Sequence, residues 1–336
     1  WTSPAKSDIF HQFHRGNDQA PIVALSRLCD AFPGDPDWIR WYAAVALYSE
    51  YQKKAAETTR PWGVLPAYVY RDDEWLKAVE GDRYQSSREA YREQVLNGMP
   101  MGAGYYLKAF PVWFGRRGNY GVLLSQAKGL ATAARLRRDE AALDLVARQL
   151  EWVVGRNPFV QSTMWGEGYD FAQQYSVSSG DIVGSLPVGI MTRGNRDLPY
   201  WPAQNSYVYK EVWVHPSARW LWLMEDLVSG DHHPDPRPKQ PLEFSLSQQT
   251  GRDGRVTIRL SARGAGRHTF TLRADNLAVG QATRKLNLKS GKPGSLTWKG
   301  RMRSAAAPWV AVVIPDDDLS RRRDVVGAVR PSAGKR

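Results

Sequence analysis

WVVGRNPF (residues 152–159) opens the stretch on which the architecture of this chain depends, and NSYVYKEVWVHPSARWLWLMEDL (205–227) closes it. Between them lie TMWGEGYDF (163–171) and SSGDIVGSLPVGIMTRGNRDLPYWP (178–202). About sixty residues here show no helical pattern, and loops of that length inside a compact domain are uncommon and often functional. The stretch is rich in Gly, Trp, Tyr and carboxylates, unlike a solvated linker. Its last carboxylate, Glu211, stands just before an apolar helical pattern, where a site residue would be held firmly.

Outside this stretch, the first 230 residues are predicted to be mainly helical. Apolar residues recur at helical spacing from residue 18 onward and over 37–54, 86–96, 120–137, 140–154 and 217–228. The short break between 120–137 and 140–154 predicts an antiparallel pair. WLWLM makes 217–228 apolar nearly all round, which predicts an inner, fully buried helix. The segments 60–75 and 97–119 contain Pro and Gly and are predicted to be loops.

The pattern changes after a Pro-rich linker at residues 231–241. Beyond it, apolar and polar residues alternate with a period of two, which is typical of half-buried strands. The predicted strands are 256–260, 268–274, 284–288, 295–298 and 309–314, with Gly-rich turns between them. Short strands at this spacing predict an Ig-like β-sandwich over 242–330, followed by a disordered tail at 331–336.

The charge of the chain is unevenly distributed. Of the net charge of +12, residues 1–230 contribute nothing, with 25 basic and 25 acidic side chains, whereas 231–336 hold 21 and 9. An Arg-rich, solvated β-surface explains this excess, and contact with an anionic polymer or surface is the alternative. Because zinc-finger spacing, RNP-like motifs and basic helices are absent from the sequence, we expect no nucleic-acid partner. No run approaches the ~18 apolar residues of a transmembrane segment. Oligomeric state is left open.

The cysteine content excludes one class of stabilisation. Cys29 is the single cysteine, so an intrachain disulfide is impossible. It lies in a helical apolar pattern, which favours a core position over a reactive thiol.

Two motifs carry a resemblance to a known family. The helix followed by VGRNPF is similar to the LGxNPxG element of family 9 glycoside hydrolases, within the six-hairpin (α/α)6 glycosidase group, and NSYVYKEVWVHPSA resembles that family's signature around its general acid. Tyr207 stands four residues before Glu211, as the signature requires. Pro202 and Ser217 stand where the signature has Asp and Asn, and GYDFAQQYS replaces a His-rich substrate element.

This resemblance implies a mainly α fold, an (α/α)-toroid at 1–230 followed by the C-terminal β-sandwich. Helical patterns fill only part of such a toroid, so we expect either a reduced toroid or the C-terminal part of a longer one. The resemblance also implies that Glu211 is the general acid, with a pKa raised by burial among aromatic side chains. The second carboxylate of the family is not found, and Asp197 is the first local substitute, ahead of Asp181 and Asp170. Each of the three is also a common loop-structuring residue.

Several side chains near Glu211 are candidates for binding substrate. Aromatic rings stack on the apolar faces of sugars, and a guanidinium fork binds a uronate carboxylate. The candidates are Trp165, Tyr169, Arg193, Trp201, Tyr207 and His215, with Arg196 and Trp213 as further ones. Each is individually as compatible with a structural role. The HQFHR cluster (11–15) has too few ligands for a metal site, so neither a metal nor another cofactor is expected.

The sequence therefore predicts a glycoside hydrolase that cleaves a polysaccharide or oligosaccharide, located in the periplasm or outside the cell. One alternative is a polysaccharide lyase on a similar toroid, in which Tyr105, Tyr106 or Tyr169 removes a proton next to a uronate. The other is a non-catalytic carbohydrate-binding protein, which would keep the aromatic residues and lack a second carboxylate facing Glu211.

Overall fold

The computed structural model describes residues 16–77, 87–112, 118–175, 182–228, 242–251 and 253–327. The predicted linker at 231–241 and the predicted tail at 331–336 lie outside these ranges. The chain forms two compact units. The first comprises Trp1–Pro21, Tyr51–Ala134 and Asp139–Gly230, and the second comprises Ile22–Glu50, Arg135–Arg138 and Asp231–Arg336.

Seven α-helices occur in the described ranges. They are α1 (Gln19–Ala31), α2 (Trp38–Ala56), α3 (Arg88–Leu96), α4 (Tyr120–Arg137), α5 (Glu140–Val153), α6 (Tyr207–Lys210) and α7 (Val214–Val228). Side-chain caps begin two of them: Ser87 accepts from the backbone N–H of Ala90, and Asp139 from that of Ala142. Such caps satisfy amide groups that have no partner within the helix. No described helix combines the length and apolar character that crossing a membrane requires.

The most deeply buried helix is α4, and the prediction that 217–228 forms a fully buried helix is wrong. Leu123, Ala127 and Leu130 of α4 are fully buried, as are nearly all residues between them. In α7, by contrast, Leu221 is 70% exposed. The small residues of α4 let neighbouring segments approach closely on every side, whereas the bulky residues of α7 surround a helix that is buried along one face only.

A small sheet forms where the sequence predicts loops. Strands β1 (Tyr68–Arg71), β2 (Met99–Gly102) and β3 (Tyr105–Lys108) pair antiparallel in the order β1-β3-β2. The loop prediction is therefore wrong for these residues. Pro and Gly lie at strand ends and in the exposed edge strand β2, where they are tolerated. A two-stranded ladder, β4 (Met191–Thr192) with β5 (Pro199–Tyr200), lies inside the long stretch.

The second unit contains two four-stranded antiparallel sheets. One has the order β6-β7-β11-β9 and the other β10-β8-β12-β13. The strands are β6 (Glu243–Thr250), β7 (Arg255–Arg263), β8 (Gly266–Asp275), β9 (Leu277–Val279), β10 (Thr283–Leu288), β11 (Gly294–Met302), β12 (Trp309–Pro315) and β13 (Arg323–Gly327). One hydrophobic core joins them, with Ile258, Phe270, Trp298 and Trp309 each at most 1% exposed.

The predicted (α/α)-toroid is wrong. The described ranges contain seven helices, one of them a single turn, together with four antiparallel sheets, and not a ring of helical hairpins. The physical reason lies in segments such as 97–119, where Pro, Gly and aromatic residues favour short strands and turns over the second helix of a hairpin.

Candidate active site

The backbone around Glu211 is held from two sides. Glu211 ends the single turn α6, and its N–H donates to the carbonyl of Tyr207 at 3.3 Å. Its carbonyl accepts from the N–H of Val188 at 2.8 Å, and a parallel bridge joins it to Tyr175. A residue fixed by both neighbouring segments presents its side chain in a defined direction.

Gly189 connects this segment to the buried helix α4. Its N–H donates to the carbonyl of Tyr209 at 2.9 Å, and the N–H of Tyr120, the first residue of α4, donates to the carbonyl of Val188 at 2.9 Å. Gly189 has φ +99°, and a Cβ there would lie 2.3 Å from the Tyr120 ring. Only glycine fits this position, so the segment that hydrogen-bonds the backbone of Glu211 lies directly against the start of α4.

The carboxyl group of Glu211 contacts the aromatic side chain of Trp213. Glu211 is half-buried, and the indole N–H of Trp213 donates to its Oε2 at 2.9 Å. Trp213 packs against His215 with ring centres 5.6 Å apart, and the ring of Tyr207 lies 6.2 Å from that of Tyr175. The predicted site residues Glu211, Tyr207 and His215 therefore belong to one local segment.

The VGRNPF motif is organised by its asparagine. Asn157 is buried, and its Nδ2 donates to the carbonyls of Trp152 at 2.8 Å and Gln161 at 2.9 Å. Its Oδ1 accepts from the N–H of Phe159 at 3.1 Å. One side chain thus satisfies three backbone groups in the turn after α5, and the role of this part of the motif is structural.

Asp197 is held by three groups. Its Oδ2 accepts from the N–H of Ala109 at 2.8 Å, and its Oδ1 from that of Phe110 at 3.1 Å. The ammonium of Lys108, whose side chain is 2% exposed, lies 3.2 Å from Oδ1. Burial lowers the pKa of Lys108, and the neighbouring Asp197 carboxylate partly offsets that effect. A carboxylate with this many partners fastens its loop to β3, and such contacts argue against a role as a free base.

The predicted aromatic candidates differ in exposure. Tyr169 is fully exposed, and Trp165 is half-buried with its ring 5.3 Å from that of Phe171. Trp201 is 7% exposed, its indole N–H donates to Oε1 of Gln161 at 3.0 Å, and it offers little ring surface to a sugar.

Both arginine candidates lie on the loop at 193–196. Arg193 is exposed and Arg196 lies in the same turn, and the guanidinium of Arg193 lies 5.2 Å from the centre of the Tyr200 ring. Tyr200 in turn packs against Tyr209, whose hydroxyl donates to the carbonyl of Thr192 at 2.9 Å. Burial raises the pKa of Tyr209 to about 12, so this phenol keeps its proton at neutral pH.

The remaining candidates from the sequence include two that the structure does not describe. Asp181 and the HQFHR cluster (11–15) lie outside the described residues. Asp170 is exposed and accepts from Nε2 of Gln161 at 3.1 Å. Tyr105 and Tyr106 lie in β3 and pair with strand β1.

The described ranges contain residue types that could bind a metal ion, together with the single cysteine. These ranges hold no group of three or more His, Cys, Asp or Glu side chains that could bind a metal ion. Cys29 is buried, and burial raises the pKa of its thiol to about 12, which keeps it protonated and unreactive.

Two buried polar groups were not predicted from the sequence. Lys210, next to Glu211, is 2% exposed, donates to the carbonyl of Ala203 at 3.1 Å and lies 5.2 Å from the Trp201 ring centre. Gln174 donates to the carbonyls of Thr163 at 3.1 Å and Ser185 at 2.7 Å. Because most of these partners are not adjacent in the chain, no local pattern in the sequence could indicate them.

A third polar group lies where α1 begins. The N–H of Asp18 donates to Oγ of Ser125 at 2.7 Å, and the hydroxyl of Tyr68 lies 3.4 Å from its Oδ2. Arg219 of α7 donates to the carbonyl of Gly16 nearby. Burial raises the pKa of Asp18, and these hydrogen bonds only partly counteract that rise.

A separate groove lies beside α3. A cavity of about 530 Å³ is lined by Trp75, Glu89, Arg92, Glu93, Leu96 and Asn97. The guanidinium of Arg92 lies 5.9 Å from the Trp75 ring centre. Glu93, one of these lining residues, accepts at Oε2 from Nδ2 of Asn195 at 2.6 Å. An aromatic ring with carboxylates and an amide suits a ligand rich in hydroxyl groups.

Comparison with known proteins gives the following result. No protein-family model matches this chain, and no curated protein is significantly similar to it. It is similar to crystal structures of endoglucanase CelQ from Clostridium thermocellum complexed with cellotriose, with cellobiose and cellotriose, and with cellotetraose. In each case the identity is 12%, the TM-score is 0.35, and the match covers 90% of this chain and 55% of that chain. The chain thus spans about 55% of the length of these structures.

Proposed function

We propose that this chain acts in the hydrolysis of an oligosaccharide or polysaccharide, with Glu211 as the general acid. One observation carries the proposal: a half-buried carboxyl group, fixed by backbone hydrogen bonds on both sides, accepts the indole N–H of Trp213 at 2.9 Å. A glycosidase needs such a carboxyl group to deliver a proton to the oxygen of the leaving sugar.

The contact with Trp213 supports a proposal for which oxygen of Glu211 carries the proton. An indole N–H can only donate a hydrogen bond. When Glu211 is protonated, Oε2 accepts from Trp213, so the transferable proton is carried by Oε1. In the proposed reaction Oε1 therefore delivers the proton to the glycosidic oxygen, and the backbone hydrogen bonds of Glu211 fix the position from which its side chain extends.

Hydrolysis requires a second carboxylate to activate water or attack the sugar. Asp197 is the first candidate from the sequence, but its contacts with Lys108 and two backbone N–H groups favour an anchoring role. Asp181 lies outside the described residues. Glu211 is therefore the one carboxyl group to which a catalytic role is assigned in this proposal.

Substrate contacts are proposed for the accessible side chains near Glu211. Tyr207 is 39% exposed, and His215 is half-buried beside Trp213. Tyr169, Trp165 and Arg193 are candidates for more distant sugar units, in keeping with their exposure. Trp201 is left out because its ring is buried. A polymeric substrate is met outside the cytoplasm, so we also propose a periplasmic or extracellular location, which cell fractionation tests.

The test compares two kinds of substrate with one variant, Glu211→Gln. On a soluble polysaccharide, release of reducing ends should fall roughly 10²–10⁴-fold, because a poor leaving group needs the proton. On a dinitrophenyl glycoside, whose leaving group needs no proton, the loss should be small. Glu167→Gln serves as a matched control, since Glu167 is an exposed carboxylate in the same long stretch.

Each outcome of this comparison has a distinct meaning. Loss on the polysaccharide alone supports the assignment of Glu211 as the acid. An unchanged rate on both substrates, or an equal loss on both, contradicts it. Absence of glycosidase activity from the unmodified chain, over a panel of polysaccharides and aryl glycosides, contradicts the proposed function itself.

A further inference from the structure

Most of the charged side chains on the outer face of the β6-β7-β11-β9 sheet are cations. Side chains alternate across a strand, and the inward residues of β7, such as Ile258 and Leu260, belong to the hydrophobic core. The outward residues of β7 and β11 include five cations, here called the basic face. The basic face consists of Arg255, Arg259, Arg263, Lys299 and Arg301.

In the other sheet of the same unit, the outer face of strand β12 is covered, unlike the basic face. Val310, Val312 and Ile314 alternate with the core residues of β12, and each is at most 2% exposed. At the edge of that surface Arg273 donates to the carbonyl of Pro33 at 2.7 Å and lies 5.0 Å from the Trp38 ring centre. The outer face of β12 is thus used for packing, whereas the side chains of the basic face are exposed.

The basic face contains an arrangement that lowers stability. Arg301 of β11 pairs directly with Arg255 of β7. Like charges directly opposite each other on neighbouring strands are destabilising. Two carboxylates lie nearby: Asp253, 3.0 Å from Nε of Arg255, and Glu243, which faces Arg263 across β6 and β7. Arg259 and Lys299 face hydroxyl residues on the neighbouring strands, so positive charge dominates the centre of the face.

The residues between the cations are short and polar. Outward positions on β6, β7 and β11 carry Ser245, Ser247, Gln249, Thr257, Ser261, Ser295 and Thr297. No aromatic ring stands among the outward residues of these three described strands, so the stacking surface that neutral sugars use is missing. Strands rise about 3.3 Å per residue, so Arg255, Arg259 and Arg263 form a row with a spacing of roughly 13 Å. Such a row suits an extended polymer with repeated negative charges.

We propose that the basic face binds an acidic polysaccharide, with guanidinium forks engaging its carboxylate or sulfate groups and the Ser, Thr and Gln side chains engaging its hydroxyls. Guanidinium groups bind planar carboxylates through two parallel hydrogen bonds. The presence of a polyanion site follows from the charge and geometry of the face. The choice of a polysaccharide over other polyanions rests on the proposed function.

The experiment measures binding of the full chain to polygalacturonate by isothermal titration, with dextran as a neutral polymer and duplex DNA as a different polyanion. The test variant is Arg259→Gln/Lys299→Gln/Arg301→Gln. The control variant is Arg267→Gln/Lys285→Gln/Lys289→Gln, which removes the same charge from exposed positions on β8, β10 and the turn after β10. Circular dichroism checks that both variants are folded.

We expect the unmodified chain to bind polygalacturonate but not dextran. Its affinity for polygalacturonate should fall as salt is added. The test variant should bind at least about tenfold more weakly, since exposed ion pairs contribute modestly and add up over three sites. The control variant should bind like the unmodified chain. Absence of binding at low salt, or equal weakening in both variants, would overturn the proposal.

Two further measurements separate this proposal from the proposed function. Duplex DNA bound as tightly as polygalacturonate overturns the assignment to a polysaccharide. A chain that binds polygalacturonate but hydrolyses no glycan supports the basic face as a binding site and contradicts the proposed hydrolase. A chain that hydrolyses a glycan without binding polygalacturonate keeps the hydrolase and removes the basic face as a binding site.

Discussion

Replacing Asp197 by Asn distinguishes an anchor from a catalytic base. The two carboxylate oxygens accept from two different backbone N–H groups, those of Ala109 and Phe110, and Lys108 lies 3.2 Å away. The asparagine side chain has nearly the same shape but only one acceptor oxygen and no charge. One backbone N–H then faces an NH₂ group, and Lys108, with 2% of its side chain exposed, loses its counter-charge.

The cost of this change can be estimated from these contacts. Removing one partner of a buried ion pair costs about 3–5 kcal/mol. The unpaired N–H belongs to the same network, so its cost is included in that range and is not added to it. For a unit of roughly 150–250 residues, each 1 kcal/mol lowers Tm by about 2–4 °C, so the expected decrease is roughly 6–20 °C. Asp170→Asn, at an exposed position in the same long stretch, should change stability by less than about 0.5 kcal/mol.

Thermal and urea unfolding, together with glycan hydrolysis measured well below Tm, provide the assay. Lys108→Met should cost less than Asp197→Asn, and combining it with Asp197→Asn should recover much of the loss, because the double variant has no buried unpaired charge. If Asp197→Asn is as stable as the unmodified chain but loses activity by more than a hundredfold, on the order of what a catalytic base contributes, then Asp197 is the base and the anchoring role is refuted.

Three further predictions concern other buried polar groups. Lys128→Met should destabilise the chain by about 3–5 kcal/mol in urea unfolding by leaving Asp226 buried without its cation, whereas Lys128→Met/Asp226→Leu should be close to neutral. Burial raises the pKa of Asp18 above its usual value of 3.8, so the folded chain binds the proton more tightly than the unfolded chain does. The free energy of unfolding therefore falls as the pH rises from the unfolded-state pKa of Asp18 to its folded-state pKa. Asp18→Asn should remove this slope in a pH series of urea titrations, and an unchanged slope would contradict the assignment. Trp213→Phe removes the donor to Glu211 and should lower kcat about threefold to tenfold with unchanged Tm; a wild-type kcat would rule out the positioning role.

Local patterns predict the elements whose neighbours in sequence are also their neighbours in space. The helices predicted at 120–137 and 140–154 correspond to α4 and α5 within one residue. All five predicted C-terminal strands lie within observed ones, because alternation on a half-buried sheet is a local signal. The predictions fail where packing decides. WLWLM has the composition of a buried helix, yet Leu221 faces solvent, because only one face of α7 packs on the rest of its unit.

The candidate site shows the same division. Glu211 is a candidate because of a motif of consecutive residues, and its contact with Trp213 lies within that motif. The role of Asp197 depends on Lys108, which is distant in the sequence and lies in a segment that is predicted to be a loop. Before β3 is known to exist, no argument from spacing can bring the two together. The sequence therefore indicates which residues have side chains suited to catalysis. It does not indicate which of these side chains form structural contacts in the folded chain.

The basic face illustrates why composition alone is a weak guide to binding. From composition, the excess of cations beyond residue 230 is explained by a solvated surface, since arginines spread over a surface have no common partner. Strand pairing changes this interpretation, because the register of β7 with β11 places Arg255 opposite Arg301 and leaves Arg259 between hydroxyl side chains. A sheet whose outer face served only solubility would gain stability by placing acidic residues opposite these arginines. The repulsion between Arg255 and Arg301 is one that a bound polyanion would relieve. Binding should therefore raise the Tm of the full chain, and the rise should be smaller in the variant lacking Arg259, Lys299 and Arg301.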